Sequence, residues 1–440
     1  MQVSVETTSE LSRKMTVQVP EEEVQAKIAS RLKSLANRIR IDGFRPGKVP
    51  QSLLKKRYGQ QVREEVLSDL IQSSFYQAVR EEKLRPAGVP EITARQVEEG
   101  KGLEYEASFE VMPEFVLMPL ETLEVKQFVS EVTEADVDAM IERLREQRKV
   151  WKDVDREAAT GDRVTISFEG KIGEESFTDG KVENVSVVIG SNQMIPGFED
   201  KLAGAAAGSK LEFELSFPAD YPNQKLAGNA VQFAVEVLKV EEGHLPEVNE
   251  ELAKSYGIEE GGVEAFRKDI RANMEREMKR ALQTRTKASV MDALFAKNTI
   301  ALPNALVQDE LRELLAPYRQ AAQNSKQEFD EAKLKEQLEP LARRRVALAL
   351  ILGKIIETNN LTIDQKRVRS LVEELAASYE RPEEVVRWYY AEPKRLREIE
   401  NVVMEDQVVD LVLDKAKVSE ENLAFQELMQ QATGSSLKAA

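Results

Sequence analysis

The chain has 440 residues, no cysteine, one histidine and a net charge of −16. Disulfides, thiolate nucleophiles and cysteine-based zinc or iron–sulfur sites are therefore excluded. With His244 as the only histidine, neither a two-histidine mechanism nor a Ser-His-Asp triad with a spare histidine is expected.

An apolar share of 42% beside 32% charged residues fits a folded, highly charged protein. The length suggests roughly two to four domains. The longest apolar run, Val346–Leu352, is far short of the ~20 residues that cross a bilayer. The N-terminal MQVSVETTSE has neither a basic stretch nor an apolar core, so no secretory signal is expected. The reading is a cytoplasmic protein without a membrane partner.

Residues 1–20 alternate apolar and polar, with Val3, Val5, Met15, Val17 and Val19 on the strand period. Pro20 and Glu21–Glu23 then open a helix, acids being favoured at its positive end. Val24, Ile28, Leu32, Leu35 and Ile39 follow at helical spacing, until GFRPGKVP (43–50) interrupts. A second helical face carries Val62, Val66, Leu70 and Val79. Strand character returns between Ile92 and Val111, so the first ~115 residues read as one α+β domain.

Thr133–Asp136 has the form of a capping box. Val137, Met140, Ile141 and Leu144 continue it as an amphipathic helix over 133–149. Residues 161–240 hold short alternating strands separated by glycines, the pattern of an antiparallel sheet. From His244 to Gln431 the spacing is almost wholly helical, punctuated by Pro303, Pro317, Pro340, Pro382 and Pro393. Heptads are not sustained, so packed helices are expected rather than one coiled coil.

The total charge conceals a local reversal. Between Lys27 and Arg63 there are eleven Lys and Arg residues against Asp42 alone, a local charge of +10. Such an island on an acidic chain suits an anionic partner, because the remaining surface repels it. The plain alternative is that these residues decorate two solvated helices.

Four blocks, VTISFEGKIGEESF (164–177), MIPGFE (194–199), SFPADY (216–221) and VQFAVEVLKV (231–240), resemble FKBP-type peptidyl-prolyl isomerases in order and spacing. GFRPGK (43–48) resembles the ribosome-docking loop of the trigger factor family. NMERE (273–277), RRVALALILG (344–353) and DQVVDLVLDKAKVSE (406–420) resemble that family's C-terminal region.

The resemblance spans nearly the whole chain and implies a multidomain α+β fold. Its parts are a ribosome-binding α+β domain (1–115) and a linker whose helix packs on the C-terminal domain (116–149). An FKBP-like antiparallel β half-barrel with a short helix (150–243) and a large all-α chaperone domain (244–440) follow.

It also implies the site residues. Phe198 is the pocket floor; Phe168, Phe177, Phe217 and Phe233 are the walls. Met194 lies at the rim, the Ile195 N–H holds a substrate carbonyl and Tyr221 offers a hydroxyl at the mouth. The family often has Trp at the floor, Asp where Thr178 stands and an aromatic where Val185 stands. These departures weigh against binding of drug-like macrocycles and leave peptide isomerisation intact. The plain alternative is that several of these phenylalanines are only core.

In the docking loop, Pro46 with Gly43 and Gly47 favours a tight turn. Phe44 is then left for a partner, and Arg45 and Lys48 for carboxylates or phosphates. The implied partners are a large-subunit ribosomal protein, ribosomal RNA at the tunnel exit, and nascent or unfolded chains. A homodimer away from the ribosome is compatible with this. No metal and no cofactor are implied. In the helical region Met404, Leu411, Leu428 and Met429 are core by default and client-contacting by alternative. A ribosome-independent isomerase and holdase is the main rival, and a pure RNA-binding protein a weaker one.

Overall fold

The computed structural model describes residues 1–38, 50–98, 100–172, 175–176, 180–219, 221, 223, 226–325, 330–377 and 379–439. In chain order the elements are β1 (Gln2–Thr7), β2 (Ser12–Val19), α1 (Glu21–Arg38), α2 (Gln51–Glu81), β3 (Glu91–Gln96), β4 (Leu103–Glu110) and β5 (Glu124–Val129). Next come α3 (Glu134–Gln147), β6 (Val150–Asp153), β7 (Arg163–Ile172), β8 (Glu175–Ser176), β9 (Val182–Val188), α4 (Phe198–Leu202), β10 (Lys210–Ser216) and β11 (Ala230–His244). The remainder is α5 (Glu250–Ser255), α6 (Gly262–Lys297), α7 (Asn304–Ser325), α8 (Glu331–Asn359), α9 (Gln365–Ala376), α10 (Pro382–Ala391), α11 (Pro393–Lys415), β12 (Lys417–Asn422) and α12 (Phe425–Ala439). The result is a multidomain α+β protein with an N-terminal α+β region, an antiparallel half-barrel and a helical C-terminal region.

Two compact units form: Met1–Phe128 with Thr284–Glu421, and Val129–Gln283 with Asn422–Ala440. In the first, β1, β2, β4 and β3 lie in that order in an antiparallel sheet. Its inward positions Met15, Val17 and Tyr105 have no exposed surface. They meet Val24, Ile28 and Leu32 of α1 and Val62, Val66 and Leu70 of α2 in one core. The Tyr105 hydroxyl stays paired there, with Ser74 Oγ at 2.8 Å and the Ile71 carbonyl at 3.2 Å.

The same unit holds β12 against β5, with Leu123, Val125, Val290, Ile351 and Val412 buried together. Residues 417–422 thus leave the almost wholly helical pattern expected from His244 to Gln431. The cause is remote pairing: Lys417 N–H donates to the Leu123 carbonyl at 2.9 Å, and no local spacing encodes that partner.

The prolines behave in two ways. Pro382 and Pro393 open α10 and α11, where the missing N–H costs nothing. Pro317 and Pro340 instead lie inside α7 and α8, which continue through them. Apolar contact between Val307, Leu311 and Leu315 of α7 and Ala342 and Val346 of α8 offsets the lost hydrogen bond.

In the second unit the capping box at Thr133 and Asp136 is formed. The α3 face of Val137 and Ile141 packs with Leu252, Phe266, Ile270, Met274 and Phe425. The strand sequence β10-β11-β7-β8 makes the other body, with β6 on β11 and β9 on β7, all antiparallel. Val231, Phe233, Val235 and Val237 alternate inward along β11 and make the sheet's core with Val164, Ile166 and Val187. His244 ends β11 opposite Val150.

Candidate active site

Aromatic side chains from three strands converge on the short helix α4. Phe198, the first residue of α4, is wholly buried. Its ring lies 5.2 Å from Phe233 on β11, 5.4 Å from Phe213 on β10 and 6.1 Å from Phe168 on β7, all edge-on. This is the preferred geometry of aromatic pairs. The ladder explains the meeting: Phe213 stands opposite Phe233, and Phe168 opposite Val235. Gly197 enters α4 with φ of 85°, and a Cβ there would approach Leu215 Cδ2 to 3.2 Å. The left-handed backbone and this close approach together favour glycine here.

Around this floor, Phe168, Met194, Ile195 and Tyr221 are half-buried against the same cluster, and Phe217 packs 4.6 Å from Tyr221. The expected residues Phe168, Met194, Ile195, Phe198, Phe217, Tyr221 and Phe233 are thus together. Phe177, with Thr178, lies outside the described residues. So do Gly43, Phe44, Arg45, Gly47 and Lys48.

Two site features were not singled out from sequence. Phe213 joins the aromatic floor, and its signal was present: it alternates with Leu211 and Leu215 on β10. The other is Glu199, second residue of α4 and 6% exposed. Its carboxylate accepts the N–H groups of Gly190, Asn192, Gln193 and Met194 at 2.8–3.1 Å, and the Ser191 hydroxyl at 3.1 Å. Burial pushes its pKa up. The N–H groups of Met194, Asn192 and Gln193 and the Ser191 hydroxyl overcome this and hold it below the ordinary carboxylate value. No sequence rule predicts such a role for a glutamate after Phe.

The basic helices are partly committed within the fold. Arg31 pairs with Glu65, and Arg63 donates to the carbonyls of Val97 and Glu98. Lys27, Lys33, Lys55, Lys56 and Arg57 are exposed. Elsewhere, α10 has no buried residue. Tyr379 is 61% and Trp388 52% exposed, and with Val385 and Tyr389 they line an open hollow of about 390 Å³. By contrast Leu428 is buried, Met429 and Leu411 pack against cores, and Met404 is half-buried.

A curled antiparallel sheet closed over one short helix and an aromatic floor defines an FKBP-type isomerase domain within a larger protein. Residues 154–238 match the family model for FKBP-type peptidyl-prolyl cis-trans isomerase. Residues 1–144 match that for bacterial trigger factor protein, and 262–414 that for its C-terminus. The trigger factor of Stutzerimonas stutzeri (strain A1501) is 45% identical over 433 residues, 98% of this chain and 99% of that one. That of Alkalilimnicola ehrlichii is 46% identical over 430 residues, covering 98% and 95%. A solved trigger factor chaperone shares the fold at 20% identity and a TM-score of 0.50, covering 94% of this chain and all of the other. The chain belongs to the trigger factor family, chaperones that carry an FKBP-type isomerase domain.

Proposed function

We propose that this chaperone docks at the ribosomal tunnel exit through Gly43–Lys48, shields emerging chains, and isomerises their X-Pro bonds in the pocket around Phe198. The observation that carries the isomerase reading is an aromatic floor beside an unengaged donor: among the described residues nothing accepts from Ile195 N–H. Prolyl isomerisation needs no proton transfer and no covalent intermediate. Its barrier is amide resonance of about 18–20 kcal/mol, which leaves X-Pro bonds slow enough to limit folding. Twisting the bond reduces the polarity of its carbonyl. A dry aromatic surface therefore disfavours the planar, solvated ground state relative to the twisted one. The Ile195 N–H orients the peptide, and neither cofactor nor metal is required.

The docking reading rests on the +10 window flanking the loop and on family membership. Large-subunit protein and ribosomal RNA are its targets, in the cytoplasm, with self-association as a homodimer in the free state. The exposed aromatic residues of α10 extend the surface offered to unfolded chains, since adaptable apolar patches suit many clients. Changing Phe44, Arg45 and Lys48 together to Ala should abolish co-sedimentation with ribosomes at low salt. Unaltered co-sedimentation of the folded variant would overturn the assignment to this loop, whereas a parent chain that isomerises X-Pro bonds without co-sedimenting would favour a ribosome-independent isomerase and holdase instead.

A further inference from the structure

We propose that Glu199 is a positioning residue that aims the Ile195 N–H at the carbonyl of a bound peptide. The inference rests on the isomerase reading above and concerns what makes that pocket competent. Every residue from Gly190 to Met194 contributes one donor to the Glu199 carboxylate. The segment belongs to no strand or helix, turns through Gly190 at φ 90° and Asn192 at φ 55°, and exposes Asn192 and Gln193. Little apolar burial holds that part of it, so the buried carboxylate is its anchor.

Ile195 is the next residue, and after Asn192, Gln193 and Met194 its N–H is the first that the carboxylate does not take. Its carbonyl accepts from Phe198 N–H at 3.0 Å. The peptide planes on either side of the free donor are therefore both tied to α4, which also carries the floor. Glu199 and Phe198 are neighbours on that helix, so floor and donor are set by one rigid element.

Glutamine at 199 is nearly the same size, but its amide nitrogen faces N–H groups that need an acceptor. The segment then loses its single arrangement, and the Ile195 N–H is no longer held in one direction. Because that hydrogen bond is made to both planar and twisted peptide, its loss should appear in KM rather than kcat.

The test uses the full chain and a short X-Pro-Phe anilide peptide, with kcat and KM measured well below the unfolding temperature and folding checked by near-ultraviolet circular dichroism. Glu199→Gln should raise KM about tenfold with kcat within about twofold of the parent. Glu199→Asp, which keeps the charge, should recover part of the loss. A merely structural role would lower the unfolding midpoint and leave KM of the folded protein unchanged, and that result overturns the proposal. If Glu199→Gln does not fold, Ser191→Ala decides. It removes one of the five donors and should raise KM about twofold, and an unchanged KM again overturns the proposal. An inactive parent chain would remove the isomerase reading and this proposal together. An active parent with an unaltered folded Glu199→Gln removes the proposal alone.

Discussion

Replacing Glu241 by Gln should destabilise the isomerase sheet and flatten its response to acid. Glu241 on β11 stands opposite Arg163 on β7. Arg163 donates Nε at 2.8 Å and Nη2 at 2.9 Å to its two oxygens, and Lys239 Nζ adds a third contact at 2.9 Å. The carboxylate is 4% exposed. The Arg163 fork lowers its pKa, burial raises it, and Lys239 lowers it further, bringing it from 4.5 to about 2. At about 1.4 kcal/mol per pH unit that difference is worth about 3 kcal/mol. Arg163 and Lys239 are themselves 30% and 45% exposed, so solvent screening reduces this to about 2 kcal/mol.

The folded pKa lies below the unfolded one. The stabilisation is therefore complete above about pH 5 and is lost as pH falls from there towards 2. Urea unfolding in a Trp388→Phe background reads this directly. Trp151 is then the one remaining tryptophan, and the Arg163 guanidinium lies 4.8 Å from its ring centroid. Glu241→Gln should lose about 2 kcal/mol at pH 7, and its curve should converge on the parent's only as pH falls to about 2. Equal midpoints at pH 7 with the same acid limb would refute the linkage argument.

Phe198→Ala should cost about 3–5 kcal/mol, because a wholly buried ring leaves a cavity, so its slow catalysis of proline-limited refolding must be read on folded protein. Phe198→Leu fills most of the space and removes the edge-on ring contacts; refolding catalysis at the parent's rate by this folded variant would show the floor is wrongly placed. Ribosome affinity should fall steeply as salt rises, measured by co-sedimentation from about 50 to 200 mM, if phosphate contacts contribute; a flat response excludes the RNA contact. Tyr379→Ala with Trp388→Ala should leave the unfolding free energy within about 1 kcal/mol of the parent's, the Arg395–Trp388 contact being the main loss. The pair should also weaken suppression of aggregation of an unfolded client, followed by light scattering.

Much of this molecule is legible from residue order alone, because its signals are local. Period-two alternation marked Met15, Val17 and Phe233 as inward strand positions, and the Thr133 cap marked the start of α3. The MIPGFE and SFPADY blocks brought Met194, Ile195, Phe198 and Tyr221 to one site.

What resisted reading is what depends on distant partners. Lys417–Asn422 is a strand only because β5, almost three hundred residues earlier, offers it a ladder. Pro317 and Pro340 sit inside helices because packing across α7 and α8 outweighs one missing bond each. Trp388 is exposed and Leu428 buried, although composition would treat both simply as apolar. Glu199 is the clearest case. A glutamate after Phe198 has the chemistry of any surface acid until the chain folds five donors around it, and its charge then becomes an anchor within the pocket. Periodicity and motifs are properties of neighbouring residues, whereas burial, pairing and a shifted pKa belong to groups the fold alone brings together.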